Sequence, residues 1–133
     1  LLSGVVIEGS YLRKEGEDDL ASHSFLQELD KNLFKPPDPI SIDKPELREL
    51  VRRGLVVEEG GIFFSSNAVV AATDILISML KKKPEGITVG EIREELQTTR
   101  KYVLPLLNYL DNLGITVRRG DIRLAGKRMP DLD

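Results

Sequence analysis

The chain has 133 residues, a formal net charge of −3, 41% hydrophobic residues and no cysteine. Without cysteine there are no disulfides and no thiolate metal sites, and no apolar run reaches the roughly 18 residues of a membrane-spanning helix. The chain begins Leu-Leu-Ser, without a methionine or a charged leader. We therefore expect a cytoplasmic fragment of a larger protein, without a signal peptide.

The net charge hides a difference between the two ends of the chain. Residues 1–80 hold 8 basic and 14 acidic residues, a net charge of −6, whereas residues 81–133 hold 11 and 8, a net charge of +3. Phosphate binding depends on where positive charge clusters rather than on the overall pI. Only the C-terminal part is therefore a candidate for binding nucleic acid.

Helices and turns alternate along the first half of the chain. Residues 20–33 are a predicted helix because apolar residues recur at helical spacing. A proline-rich loop, "PPDPIS", separates it from a second predicted helix at 45–53, which begins at Pro45 and stops at Gly54. The apolar positions of the first helix are Phe25, Leu26, Leu29 and Leu33.

The second half contains a longer series of elements. A predicted helix at 67–82 is followed by the turn "KKKPEG", the short strand "ITV" and the helix "GEIREEL". After the tight turn "QTT", a helix at about 100–113 ends on Gly114, a natural left-handed C-cap.

One β-hairpin pattern occurs three times in the chain. Segments 4–12, 54–64 and 114–124 align without gaps, at offsets of 51 and 60 residues. Each has a β-branched run, a glycine-containing turn and a second apolar strand. A helix-turn-helix that ends in such a hairpin wing is a winged helix, so we predict an α+β, mainly α, chain of tandem winged-helix domains.

This fold predicts the domain boundaries. Residues 1–14 would be the wing of a preceding domain, 15–66 a middle domain, 67–126 the last domain and 127–133 a flexible tail. The helix at 67–82 follows the middle wing and opens the last domain, so it should fix the angle between the two.

Pro105 interrupts the pattern of the last helix. Thr98 or Thr99 is a suitable N-cap, whose hydroxyl would accept a backbone N–H of the first turn. Counted from Thr99, Pro105 is the sixth helical residue and cannot donate its hydrogen bond. Either the regular helix begins near Tyr102, or it runs from Arg100 with a bend.

Three residues in the first turn of this helix, Arg100, Lys101 and Tyr102, are candidates for contact with nucleic acid. Arg100 and Lys101 lie at the leading end of the helix, where the positive end of the dipole favours anions. Tyr102 could stack on RNA or pack into the core, and its helical spacing favours packing.

The sequence contains no recognisable catalytic or metal-binding motif. The chain has no phosphate-binding glycine loop, and its one histidine, His23, lacks a partner for a metal or triad site. The acidic run 15–19 lacks the spacing of a calcium loop. We expect no enzyme, no cofactor and no metal.

The two complete wings carry opposite charges at their tips. The middle wing has Glu58-Glu59 where the last wing has Arg118-Arg119, and Arg123 lies on the return strand of the last wing. The middle tip would repel phosphate. The last tip would attract phosphate, because arginine presents a planar fork of donors.

Residues 99–124 resemble the last winged-helix domain of SelB, the bacterial selenocysteine-specific translation elongation factor. The resemblance is specific over 86–124 and weaker over 20–80. It rests on four motifs. The helix start is Arg100-Lys101-Tyr102, and the Pro-Leu-Leu run is Pro105-Leu106-Leu107. The aspartate before Gly-x-Thr is Asp111, before Gly114-Ile115-Thr116, and the Arg-x-Gly-Asp wing is Arg118-Arg119-Gly120-Asp121.

The resemblance implies an arm of winged helices whose last domain binds the selenocysteine insertion (SECIS) hairpin of an mRNA. The GTPase domain and the domains that meet selenocysteyl-tRNA and the ribosome would lie upstream and outside this chain. We expect a monomer, with the acidic middle domain as a spacer. The predicted RNA-binding residues are Arg100, Lys101, Tyr102, Arg118, Arg119, Asp121 and Arg123, with Asp121 as an acceptor for a guanine edge.

Two departures from the family pattern bear on RNA choice. The family often has two arginines after the wing threonine; here Val117 takes the first place and a second arginine appears one position late, as Arg119. Asn108 replaces a common acidic residue. Two other functions remain open. A DNA-binding transcription factor predicts dimer symmetry and groove-reading side chains, and a protein-interaction scaffold predicts an exposed apolar patch.

Overall fold

The computed structural model describes residues 22–130, so the wing predicted at 1–14 and residues 131–133 lie outside it. The elements run in chain order as α1 (22–31), α2 (Lys44–Arg52), β1 (Val56–Glu59), β2 (Ile62–Ser65), α3 (Ser66–Lys82), β3 (Ile87–Thr88), α4 (Val89–Leu96), α5 (Arg100–Leu113), β4 (Thr116–Arg119) and β5 (Ile122–Ala125).

The first two helices and the β1–β2 hairpin enclose a small core. Helix α2 begins with Pro45 in its first turn, and the carboxylate of Glu46 accepts the backbone N–H of Asp43. The hairpin turns through Gly60 and Gly61, whose φ angles of 58° and 81° suit a tight two-residue turn. The core residues are Phe25, Leu29, Ile42, Leu47, Leu50 and Val56.

The last three helices pack against a three-stranded antiparallel sheet of order β3-β5-β4. Strand β3 pairs through Ile87 with Arg123, and β4 pairs with β5 along its whole length. Helix-turn-helix and wing therefore form one winged helix, as predicted. Its buried core is larger than the first and consists of Phe64, Ala68, Ala72, Leu76, Leu80, Ile87, Ile92, Leu96, Val103, Leu106, Leu107, Leu110 and Met129.

No linker separates the middle hairpin from the last domain. Ser65 ends β2 and also caps α3, since its hydroxyl accepts the backbone N–H of Ala68 at 3.1 Å. Phe64 of β2 is fully buried in the core of the last domain, beside Leu76 of α3. Both features support the prediction that this helix joins the two domains rigidly.

The start of α5 lacks the predicted threonine cap, and it settles where the helix begins. Thr99 occupies the N-cap position but its hydroxyl makes no cap bond, and the Thr98 hydroxyl instead donates to the Phe34 carbonyl. The predicted threonine cap is therefore wrong. The helix runs from Arg100 with Pro105 inside it, so it does not begin at Tyr102.

The chain after the wing is packed against the last domain. The Gly126 N–H donates to the Ile115 carbonyl at 2.8 Å, and the Arg128 N–H donates to the Gly114 carbonyl at 2.9 Å. The Met129 side chain is buried in the core. The flexible tail predicted for 127–133 therefore does not apply to 127–129, because one apolar side chain anchors the segment.

Replacing Gly126 by alanine is expected to lower the free energy of unfolding. A Cβ at Gly126 would lie 2.2 Å from the Gly114 carbonyl oxygen, a backbone atom that cannot rotate away. The cost should be on the order of 1–3 kcal/mol, as for other overpacked sites. Urea unfolding followed by circular dichroism measures it.

Gly90→Ala is the matched control for this substitution. Its Cβ would have nothing closer than the Thr88 hydroxyl at 3.8 Å, and alanine favours a helix. We expect unchanged or higher stability for this variant. Equal unfolding midpoints for the two variants would contradict the close approach at Gly126.

Candidate nucleic-acid interface

A cavity of about 380 Å³ lies on the last domain between the wing, α5 and the start of α4. We call it the wing niche. It brings together four of the residues predicted to bind RNA, and six others that the sequence analysis did not assign. Its lining residues are Thr88, Val89, Gly90, Arg100, Leu104, Asn108, Arg118, Gly120, Asp121 and Arg123.

Helix α5 supplies one wall of the niche. Arg100, Leu104 and Asn108 follow one another at intervals of four residues, so they form one stripe along the helix surface. Val103 and Leu107 lie on another side and are fully buried in the core. Because the buried side of the helix packs on the core, the stripe of Arg100, Leu104 and Asn108 faces the niche.

The alternation of β4 determines which wing arginine faces the niche. Arg118 lies directly opposite Arg123 in the antiparallel pair, so both side chains are on the same face of the hairpin. Arg119 is one residue further and lies on the other face, together with Val117. Arg118 therefore lines the niche, whereas Arg119 does not.

Arg118 is held over the tip of the wing. Its Nε donates to the Gly120 carbonyl at 3.0 Å, while the side chain remains exposed. This bond leaves the two terminal guanidinium nitrogens without a partner among residues 22–130. The neighbouring Asp121 is also exposed and has no bonded partner within that range.

Arg123 is buried, although the sequence analysis predicted that it binds RNA. Its side chain is only 3% exposed, and its Nε and one terminal nitrogen contact the Asp111 carboxylate at 3.0–3.1 Å. The Thr116 hydroxyl donates to the same carboxylate at 2.6 Å. A charged group buried this deeply requires a partner, so Asp111 ties the wing to α5.

The start of α4 forms the floor of the niche. Thr88 caps this helix, and its hydroxyl accepts the Glu91 N–H at 3.0 Å. The pKa of Glu91 lies below its usual value because the Thr88 backbone N–H donates to its carboxylate, with the Lys83 ammonium as a second cause. Thr88, Val89 and Gly90 line the niche, so the first turn of α4 borders it.

The last domain presents free positive charge at its surface. Arg100, Lys101, Arg118 and Arg119 are exposed, and none forms an ion pair with another described residue. On the middle wing, by contrast, Glu58 pairs with Arg48 at 3.5 Å. The charge difference between the wings is therefore present at the protein surface.

Lys101 and Tyr102 lie beside the niche rather than in it. Tyr102 is half-buried against the core of the last domain, as its spacing favoured, and the Lys101 ammonium is 5.2 Å from the centre of its ring. Lys101 shares a stripe of α5 with Pro105. Gly60, in the turn of the middle wing, lies close to Pro105: a Cβ at Gly60 would be 3.7 Å from the Pro105 Cβ. This side of α5 therefore contacts the middle wing.

The sequence analysis missed the contribution of α4 to the site. Thr88, Val89 and Gly90 are far from the wing in sequence, and only the pairing of β3 with β5 brings them to it. The signal available in the sequence was Gly90 in the first turn of the predicted helix, because glycine destabilises a helix and is therefore unusual at such a position. Leu104 could have been found from its spacing to Arg100.

Other site types are not evident in the described part of the chain. Between residues 22 and 130, no three acidic or histidine side chains are grouped so that they could bind a metal ion. Nor does any helix in this range have the length and apolar character needed to cross a membrane.

Comparison with known proteins shows what the last domain is similar to. Residues 78–125 match the family model for the winged helix of elongation factor SelB. This segment includes every lining residue of the wing niche. No curated protein sequence gives a significant match to the chain.

Two solved structures are similar to the chain as a whole. The mRNA-binding domain of elongation factor SelB from E. coli, solved in complex with SECIS RNA, has a TM-score of 0.59 at 18% identity, covering 80% of this chain and 98% of that one. The bacterial selenocysteine-specific elongation factor EF-Sec has a TM-score of 0.60 at 25% identity, covering 96% of this chain. The chain spans about a fifth, 21%, of that factor.

These comparisons confirm two predictions from the sequence. The chain resembles the winged-helix domains of SelB, and its fold is α+β with small sheets. At 18% identity the likeness to the E. coli domain shows the fold alone.

Proposed function

We propose that this chain is the mRNA-binding arm of a selenocysteine-specific elongation factor and that its last domain binds a SECIS hairpin. The observation that carries the proposal is the wing niche. It combines two exposed arginines, an exposed carboxylate and the first turn of α4 within the segment that matches SelB.

The niche has the chemistry needed for an unstacked base of an RNA loop. Proteins read RNA mainly through splayed bases in loops and bulges, because the major groove of an RNA helix is too narrow for side chains. The Asp121 carboxylate can accept hydrogen bonds from a guanine edge, and the Asn108 amide can donate and accept. Leu104 offers an apolar surface for the face of the base.

The exposed arginines would bind the phosphates next to that base. Arg100 and Arg118 lie on opposite walls of the niche, one on α5 and one on the wing. Each has terminal nitrogens free for bidentate bonds to phosphate oxygens. Backbone groups in the first turn of α4 add the positive end of a helix dipole.

The remaining predicted residues would act around the niche. Lys101 and Tyr102 would contact the RNA backbone or a flanking base from the next stripe of α5. Arg119 lies on the same face of β4 as Val117, so an arginine moved between these positions keeps its orientation. For Arg123 we propose a supporting role, in which its pair with Asp111 holds Arg118 in place.

The chain itself would be a non-catalytic binding module. Its activity in the cell would depend on GTPase and tRNA-binding domains of the whole factor, which would bring selenocysteyl-tRNA to the ribosome. We expect it to act as a monomer in the cytoplasm, without a cofactor.

Fluorescence anisotropy across a salt series tests the proposal. The 133-residue chain is titrated into a labelled SECIS hairpin, the same hairpin with a scrambled loop, and duplex DNA of equal length. We expect tight binding only to the first RNA, weakening as salt rises because phosphate contacts release counterions. Equal or stronger binding to DNA would favour a transcription factor. No binding to any of the three would favour a protein-interaction scaffold.

A further inference from the structure

The segment that follows α1 is fixed against the turn between α4 and α5. The Thr98 hydroxyl, in that turn, donates to the Phe34 carbonyl at 2.5 Å. The side chains of Leu33 and Phe34 pack against the core of the last domain. This part of the middle domain is therefore held beside the start of α5.

Two lysines of this segment border a cavity that crosses the domain boundary. The cavity, of about 270 Å³, is lined by Lys31 and Lys35 on one side and by Leu96 and Gln97 on the other. Both lysines are exposed, and neither forms an ion pair with another described residue. The one acidic lining residue, Asp30, already accepts a hydrogen bond from Asn67.

These lysines are near the basic end of the wing niche. Gln97 lines their cavity and Arg100 lines the niche, and three residues of chain span at most about 10 Å. That distance is close to the screening length of about 8–10 Å at physiological salt. The cavity that both lysines line therefore begins within about 10 Å of Arg100.

The other contact of the middle domain with α5 is acidic. The tip of the middle wing, with Glu58 and Glu59, lies beside Pro105 on the next stripe of the helix. Glu58 is paired with Arg48 at 3.5 Å, so Glu59 carries the net negative charge of this tip, whereas the lysine side is positive. The charges of the middle domain therefore favour one path for RNA.

We propose that the RNA-binding surface continues across the domain boundary, where Lys31 and Lys35 bind backbone phosphates in the stem of the hairpin. This inference rests on the proposed function, since it extends the same RNA beyond the wing niche. The middle domain then has a direct part in binding and is more than a spacer.

The test compares two hairpins with the same loop, one with a short stem and one with a long stem. The double variant K31A/K35A is measured beside K81A/K82A, which removes two exposed lysines from the end of α3. In the wild-type chain the long stem should increase affinity. In K31A/K35A this gain should disappear, about three- to tenfold at moderate salt, and the slope of log affinity against log salt should fall by about 2.

The outcomes separate this inference from the proposed function. K81A/K82A should keep the full gain from the long stem, with at most a small loss from long-range attraction that fades at higher salt. If K31A/K35A also keeps the full gain from the long stem, the extended surface is refuted while loop-dependent binding stands. If the wild-type chain shows no loop-dependent binding to either hairpin, the proposed function fails and this inference fails with it.

Discussion

Replacing Arg118 by alanine is expected to weaken hairpin binding by about 1–3 kcal/mol. Among the wing arginines, Arg118 alone is both exposed and part of the niche lining. Its bond to the Gly120 carbonyl fixes the guanidinium before RNA arrives, so little side-chain entropy is lost on binding. Anisotropy with the SECIS hairpin measures the loss.

Arg119→Ala provides the matched control on the same strand. It removes the same charge from a position that is also exposed, but on the opposite face of the hairpin. We expect a smaller loss, arising from long-range attraction alone, that fades at higher salt. A larger loss for Arg119→Ala than for Arg118→Ala would place the RNA on the outer face of the wing.

Replacing Asp111 by alanine is expected to lower the free energy of unfolding by about 3–5 kcal/mol, the usual cost of breaking a buried ion pair. The substitution leaves the buried Arg123 guanidinium without its carboxylate and removes the acceptor of the Thr116 hydroxyl. Urea unfolding would show the loss, which is large beside a total stability of about 5–15 kcal/mol.

Two further variants separate this effect from a general loss of charge. Asp121→Ala removes an exposed carboxylate without a bonded partner, and its stability should change by less than about 0.5 kcal/mol. Adding Arg123→Met to Asp111→Ala should restore part of the stability, because the unpaired charge is then gone. Equal stability of Asp111→Ala and the wild-type chain would show that the pair does not hold the wing.

The sequence predicts the local elements of this protein well. Hairpins at 54–64 and 114–124 and the helix stops at Gly54 and Gly114 all appear in the structure. These features depend on neighbouring residues: β-branched runs, glycines with positive φ and apolar residues at helical spacing. Interactions within a few residues are enough to specify them.

Features that depend on distant contacts were predicted less well. Arg123 looks like a surface cation on a short strand, and its burial follows from Asp111, twelve residues earlier on α5. Met129 sits in a segment without periodicity, yet it fills the core. The niche itself needs β3 beside β5, and these strands pair residues 34 and 36 positions apart, which no local pattern encodes.

The wing charge reversal is evident from the sequence, but the structure separates the roles of the two arginines. Strand alternation divides the arginine pair, so that Arg118 faces the niche and Arg119 does not. The sequence shows both residues at the tip, and only the pairing register assigns a face to each.

The most direct test of the account is to locate the RNA on the protein. Amide chemical shifts of the ¹⁵N-labelled chain are recorded while a SECIS hairpin is added. The account predicts the largest changes at the amides that line the wing niche, namely Val89, Gly90, Asn108, Gly120 and Asp121. Changes centred instead on the groove between α3 and α4, lined by Ile75 and Met79, would contradict it.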